Sequence, residues 1–450
     1  MMTSIILLEE VNKHNTEDDS WMVVNGVVWD LTGFAPRHPG GADIIQEYFG
    51  RDASKIYNEL HGPGLIASQL GEKKRIGVLN KLPTNELSSF ESSENASKPT
   101  SEKPALQSIL NLYEFEELAE KVLSPRAWAY FSGATNDSLT TAMNIDWYRQ
   151  ILFRPRVLTG MKNADSSATI LGHKYSIPIF NAPASMAKLA HPDGELALAR
   201  ATAAAGSTII VPTMSSFSIE EIVEALPPDH PFFFQLYVNR NRSVTEELLR
   251  SVCKLKPRAI MVTVDLPVFS KREANERYEI GVAQKQASHD FQEKINNKGK
   301  DQARSASNAI ESDLQWKDIR WIKETTGVPI FIKGIQCATD AYLAYKNGCA
   351  GIYISNHGGR AVDTAPASIL TLMEIQANCP EILAEMEVFI DGGVRRGTDV
   401  LKAICLGASA VCLGRPFFYA LSYGQDGMEH ALESQKPIPI IEKQTWLTFA

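Results

Sequence analysis

The sequence predicts two domains in tandem, a small α+β unit followed by a parallel-stranded (β/α)8 barrel, and three observations predict them. Eight short apolar, β-rich runs alternate with helical patterns between residues 177 and 414. A Ser/Glu/Pro-rich stretch from Lys81 to Pro104 cannot bury a core and separates those repeats from what precedes. The 80 residues before it carry strand, turn and helix signals of their own. The expected organisation is a first domain over 1–80, a flexible linker over 81–104, a barrel over 105–433 and a divergent tail over 434–450.

In the first domain, Trp21–Leu31 alternates as a hairpin turned at Asn25-Gly26, the residue pair that best supplies two positive φ angles. His38-Pro39-Gly40-Gly41 then leads into a helical Ala42–Phe49, and a second histidine, His61, follows 23 residues after the first. Two neutral imidazoles on facing elements saturate a haem iron, which favours electron transfer over oxygen binding. Either histidine alone reads as a surface or core residue; the pair with its turn and preceding strands points to a haem site.

The barrel strands are expected at Ile177–Ala182, Ile209–Pro212, Phe232–Tyr237, Ile260–Asp265, Pro329–Lys333, Gly351–Ser355, Val388–Asp391 and Ala410–Gly414. Helices are expected at Glu195–Ala205, Ile219–Leu226, Thr245–Leu255, Leu314–Thr325, Ala338–Asn347, Ser368–Gln376 and Thr398–Leu406. Strands apolar on both faces, each followed by a helix, make a parallel sheet covered by helices, and eight repeats close it. The polar residues agree, because Gln235, Thr263, Asp265, Lys333, His357, Asp391 and Arg415 fall at or just beyond strand C-termini, the face on which barrel enzymes build their sites. Between strand four and its helix, Ala274–Asp313 is long and polar and reads as a mobile excursion.

Chemistry concentrates in three loops. Asp391-Gly392-Gly393-Val394-Arg395 and Gly414-Arg415, after strands seven and eight, place backbone N–H groups and guanidiniums where barrels hold phosphate. His357 with Arg360 three residues on offers a base and a bidentate clamp for a carboxylate, and Asp265 is placed to orient the imidazole. An Ile330-Phe331-Ile332 run delivers Lys333 to the same face, where its charge can stabilise an anionic cofactor.

On these residues, 5–79 resemble the cytochrome b5 fold and 108–430 resemble the FMN-dependent enzymes that oxidise L-2-hydroxy acids. The resemblance implies a TIM barrel with FMN and a b-type haem as cofactors. It assigns His357 as base, Asp265 as its partner, Arg360 and Tyr130 to the substrate carboxylate, Tyr237 to the hydroxyl and Arg272 to assistance from the fourth loop. It assigns FMN contacts to Ala182, Pro183, Ala184, Gln235, Thr263, Lys333, Asp391, Gly392, Gly393, Arg395, Gly414 and Arg415, and the iron to His38 and His61. The implied reaction converts an (S)-2-hydroxy acid, L-lactate foremost, to its 2-oxo acid, with single electrons passing through the haem to cytochrome c or another one-electron acceptor. A homotetramer is implied if the barrel folds. An oxygen-reducing oxidase and a haem-binding pseudoenzyme are the alternatives.

The chain departs from the family pattern at Ala184-Ser185, where Thr-Ala is common, at Phe269 in place of Leu, and at Met214, so the size of the substrate is open. After Gly427–Glu433 the family continues into a long helix, whereas Pro437 and Pro439 stand here at alternate positions and cannot continue one. The expectation is a barrel lacking its last helix, as in a truncated product.

The formal net charge of −8, with −4 in residues 1–80, argues against nucleic acid as a ligand. No apolar run suits a membrane span, and six cysteines without a C-x-x-C pair argue against a disulfide framework, a zinc ribbon or covalent haem. The opening Met1–Glu10 is too soon acidic for a secretory leader, so a cytoplasmic location is expected, or the mitochondrial intermembrane space if a leader precedes this sequence.

Overall fold

Period-two alternation in the barrel strands decides both what fills the barrel and what lines its mouth. The structure, a computed structural model, describes residues 4–80, 103–154, 157–158, 165–268, 270–286, 309–436 and 446–449. Among these, one sheet holds eight parallel strands: Ile179–Asn181, Ile210–Pro212, Phe233–Leu236, Ile260–Thr263, Ile330–Ile335, Gly351–Ile354, Glu387–Ile390 and Ala410–Leu413. The eighth pairs with the first through Ile179↔Val411, and an Asn181↔Ile209 bridge joins the first to the second, which closes the ring.

Phe180, Phe233, Phe331, Tyr353 and Phe389 point inward and pack on one another as a fully buried plug, with Met261 and Cys412 completing it. Their outward neighbours, such as Ile179, Phe234, Ile332 and Ile390, meet the surrounding helices in the larger core. Each buried aromatic contributes about 1.5–3 kcal/mol. The hairpin Ala168–Ile170/His173–Tyr175 closes the bottom, with the Tyr175 ring 4.8 Å from Phe180. Two residues beyond the plug along each strand comes the next inward position, and there stand Ala182, Gln235, Thr263, Lys333, Ser355, Asp391 and Gly414. The apolar plug is thus the floor of the candidate site.

The seven expected barrel helices are present within a few residues of their expected ends. The missing eighth helix is corrected: Gly424–Gln435 forms three turns that bury Gly427, Met428, Ala431 and Leu432 and pack on Gly194–Ala204. The prolines set only its end, since the apolar spacing that makes the helix lies upstream of Pro437. In the divergent tail, Trp446–Phe449 pairs antiparallel with Ile151–Arg154. The excursion after strand four opens with a helix, Glu273–Gln286, rather than a loop; the rest of it, 287–308, lies outside the described residues, as does the linker 81–102.

In the first domain, strands Asp19–Val24 and Val27–Asp30 form the expected hairpin, with Asn25 at φ 53° and Gly26 at φ 75°. Arg75–Leu79 pairs with the second of them and with Ser4–Ile6. Helices Ala42–Gln46, Ser54–Leu60 and Leu65–Leu70 cover one side, around Met22, Trp29, Leu31, Phe49 and Tyr57. No helix among the described residues is long and apolar enough to cross a membrane.

Candidate active site

His357 follows strand six in a left-handed conformation (φ 58°), held there by its own N–H, which donates to Ser355 Oγ at 3.0 Å. Such a φ is costly for a residue with a Cβ and turns the imidazole back over the barrel mouth. Its Nδ1 lies 2.9 Å from Asp265 Oδ1 and its Nε2 lies 3.4 Å from the Tyr237 hydroxyl. Lys333 Nζ is 3.9 Å from the other Asp265 oxygen and donates to Ser355 Oγ at 3.3 Å. The Asp265 side chain is fully buried and therefore depends on these two partners.

The charges are balanced around that carboxylate. Burial pushes the Asp265 carboxyl up, but Lys333 and His357 together outweigh it and hold the group below the usual carboxylate range. Burial pushes His357 down, Asp265 opposes that and Lys333 adds to it, leaving the imidazole below its ordinary value and neutral near pH 7. A neutral imidazole whose Nδ1 is tied to a carboxylate presents Nε2 as a base. Burial and the neighbouring Asp265 raise the Tyr237 phenol, which keeps it a hydrogen-bond donor.

Arg360 Nη1 donates to the carbonyls of Tyr130, Phe131 and Gly133 at 2.8, 3.2 and 3.1 Å, and its guanidinium lies 5.3 Å from the Tyr130 ring centre. These bonds to the end of helix Pro125–Ser132 orient the plane of the guanidinium. Burial, followed by the charge of Arg272, lowers Arg360 to about 10. Arg272 is itself only 4% exposed. Two buried guanidiniums whose charges act on each other at the mouth of a cavity make a positive environment that suits an anion.

On the opposite side, Gly392 and Gly393 run against helix Leu139–Gln150. A Cβ on Gly393 would lie 2.0 Å from the Asn144 carbonyl, at φ 84°, so only glycine fits. Asn144 and Asn356 exchange amide hydrogen bonds at 2.9 and 2.8 Å and tie that helix to the His357 loop. Arg395 pairs with Glu116 at 3.0 Å, while its Nε is buried without a partner, as is Asp391 Oδ1. Arg415 donates to the Gly358 carbonyl and is lowered to about 10 by burial first, with Arg360 and Arg395 adding to it. Orphaned polar atoms and surplus positive charge beside a Gly-Gly turn fit the phosphate and hydroxyl groups of FMN.

Gln235 Nε2 donates to Thr263 Oγ1 at 2.9 Å, and its Oε1 accepts from Thr213 N at 3.1 Å. One cavity of about 610 Å³ collects Ala182, Pro183, Ala184, Gln235, Tyr237 and Lys333 with both Gly-rich loops and the substrate-side residues Tyr130, Arg272, His357 and Arg360. Thr263 and Asp265 do not line the cavity themselves but bond Gln235 and His357, which do. Ser185 and Met214 also line the cavity, whereas Phe269 lies outside the described residues. Asn144 and Glu116 were not singled out in the sequence. Asn144 sits in an ordinary helical pattern, and nothing in its neighbours marks it.

The same cavity continues into the first domain, where His38 and His61 line it. Their ring centres are 6.4 Å apart. Two metal–imidazole bonds of about 2 Å plus two ring radii require about that separation. His38 Nδ1 lies 3.0 Å from the Gly41 carbonyl, which leaves Nε2 for a metal, and His61 Nδ1 is buried without a partner. Burial lowers both histidines, His61 to about 3 with His38 and Lys188 adding to the effect, so both are neutral, the form in which an imidazole can bind a metal. A Cβ on Gly40 would come within 2.8 Å of the His38 ring, which explains the glycine after the proline. The residues present fit a six-coordinate haem.

Fold and site together define a flavin-binding barrel enzyme joined to a haem-binding module. The sequence pattern of the FMN-dependent dehydrogenase family matches residues 119–436, and that of the cytochrome b5-like heme/steroid binding domain matches residues 8–80. The chain belongs to the FMN-dependent dehydrogenase family and has FMN and haem as its cofactors. It is 39% identical over 440 residues to the L-lactate dehydrogenase (cytochrome) of Saccharomyces cerevisiae, covering 94% of this chain and 74% of that one. It is 38% identical over 441 residues to the enzyme of that name from Wickerhamomyces anomalus, covering 95% and 75%. A solved mutant flavocytochrome b2 with pyruvate bound superposes with a TM-score of 0.67 at 39% identity, covering 74% of this chain and 82% of that one.

Proposed function

We propose that this protein oxidises L-lactate to pyruvate and passes the electrons, one at a time, to cytochrome c. The observation that carries the reading is the juxtaposition in one cavity of two buried arginines, a histidine base tied to a buried carboxylate, and, at its other end, two histidines spaced for haem.

In the reaction the Cα–H and O–H bonds of lactate break, the C=O of pyruvate forms, and two electrons and two protons leave. FMN, when bound, supplies the two-electron acceptor, and haem the one-electron relay to two equivalents of cytochrome c. Arg360 and Tyr130 hold the carboxylate and so fix which face of Cα is presented. Tyr237 hydrogen-bonds the hydroxyl. His357 Nε2 takes up a substrate proton, and Asp265 stabilises the imidazolium that results. Lys333, 3% exposed on strand five two residues beyond Phe331, would set positive charge beside the flavin. Ala182, Pro183, Ala184, Gln235 and Thr263, with Asp391 to Arg395, Gly414 and Arg415, would hold the FMN, the last groups supplying backbone N–H and guanidinium donors for its phosphate.

A homotetramer, and the mitochondrial intermembrane space as the location, belong to the same reading and are checked by light scattering and cell fractionation. The function is tested by supplying L-lactate and ferric cytochrome c to the purified chain. Rapid cytochrome c reduction with little peroxide is expected; peroxide as the main product, with cytochrome c idle, would make it an oxidase instead.

A further inference from the structure

The segment carrying His61 is met by groups from the barrel. Helix Ser54–Leu60 ends at His61, so its last carbonyls lack partners within the helix. Lys188, from the loop after barrel strand one, puts Nζ 2.5 Å from the Asn58 carbonyl and 2.7 Å from the His61 carbonyl. A lysine on helix-end carbonyls satisfies orphan acceptors and opposes the negative end of the helix dipole. One residue on, Gly62 N–H donates to the Ser216 carbonyl at 2.7 Å, in the loop after strand two. A Cβ on Gly62 would fall 2.4 Å from the Phe217 ring, so the glycine lets the turn lie flat on that ring. Arg126 reaches Glu59 at 2.7 Å on the flank.

The two barrel loops that make these contacts are joined beneath by a carboxylate the proposed chemistry does not use. Glu195 is 0% exposed. Its Oε1 accepts from Ala187 N at 3.2 Å and from Ser216 N at 3.0 Å, and Lys188 N donates to Ser216 Oγ at 3.3 Å. Burying a carboxyl is costly, and one whose other oxygen has no partner is costlier still. The sequence gives no sign of it, since Gly194-Glu195-Leu196 reads as an ordinary acidic first turn.

We propose that Lys188 and Ser216, registered against each other by the buried Glu195, form a latch that docks the His61–Gly62 turn on the mouth of the barrel and so positions the haem-ligand helix for electron delivery from it. All three are positioning residues. Lys188 acts through backbone carbonyls beside the ligand, Ser216 through its own carbonyl, and Glu195 through both loops. The cross-domain ion pairs Arg126–Glu59 and Arg37–Glu247 are partly solvent-exposed and add little individually.

The test uses the full chain loaded with both cofactors and two readouts. Hydrogen exchange of the peptide spanning Asn58 to Gly64, measured without substrate, should quicken by about tenfold in Lys188→Met and return toward the parent rate in Lys188→Arg. In stopped-flow mixing with L-lactate, flavin bleaching should stay within about twofold while haem reduction slows by about tenfold or more. Glu195→Gln, which keeps the accepting oxygen, should behave as the parent, and Glu195→Ala as Lys188→Met; should Glu195→Ala fail to fold, the Lys188 pair decides alone. Unchanged exchange and unchanged haem reduction in Lys188→Met would overturn the latch. The kinetic readout rests on the proposed function, whereas the exchange readout does not, so a chain inert to lactate would still report docking.

Discussion

Replacing Asp265 by Asn removes one charge and almost no volume, so the result reads electrostatics rather than packing. As His357 takes up a proton, the new imidazolium stands 2.9 Å from Asp265 Oδ1. At an effective dielectric near 20, two unit charges at that distance attract by about 6 kcal/mol. Only the part already developed in the transition state counts, and at about half charge transfer the loss is about 3 kcal/mol, or roughly 100-fold in rate. Loss of the carboxylate also leaves Lys333 without its counter-charge at 3.9 Å, so flavin content and the thermal midpoint must be measured beside the rate. The assay is the anaerobic rate of flavin bleaching by saturating L-lactate, which isolates the chemical step from haem transfer. A fall in that rate of about 100-fold, with KM changed by less than about threefold, is expected. A variant that keeps its flavin and bleaches within about threefold of the parent would refute the role given to Asp265.

The same site fixes a pH dependence. Burial holds the His357 pKa below its ordinary 6.5, so the neutral base persists into acid, and the acid limb of kcat/KM for flavin reduction should lie below that value. Asp265 is what opposes that shift, so in Asp265→Asn the limb should move further to acid; a move to higher pH would contradict the assignment. Arg360→Lys loses the planar fork and its three carbonyl anchors, and should raise KM for L-lactate by about 10-fold or more while flavin stays bound. Gly393→Ala drives a methyl into the Asn144 carbonyl at a left-handed φ, a strain of about 1–3 kcal/mol, and should lower flavin occupancy, read from the absorbance ratio of purified protein. His61→Ala should abolish the haem bands and leave flavin bleaching by lactate intact, as judged by spectra of the same preparation.

The eight strands and most of the site were legible because one rule produces both. In a parallel barrel the side chain two residues beyond a buried aromatic faces the mouth, so Phe331 announces Lys333, Phe389 announces Asp391 and Phe233 announces Gln235. His38 and His61 were legible because the flanking Pro-Gly-Gly and the hairpin narrow what the two histidines can do. What was not legible depends on distant chain segments. Asn144 meets Asn356 across 212 residues, and Glu195 joins two loops by accepting from their backbone N–H groups, for which no residue pattern exists. The eighth helix was misjudged because prolines report where a helix ends and say nothing of the apolar face before them, here Met428, Ala431 and Leu432.

The most direct test of the account is rapid anaerobic mixing of the purified holoprotein with L-lactate, following flavin and haem absorbance together. The account predicts that the flavin band bleaches first and the haem bands then change to those of the reduced form, without added carrier. A haem that stays oxidised beside a bleached flavin would contradict the coupling of the two domains, and a flavin that does not respond to L-lactate would contradict the assignment of the site itself.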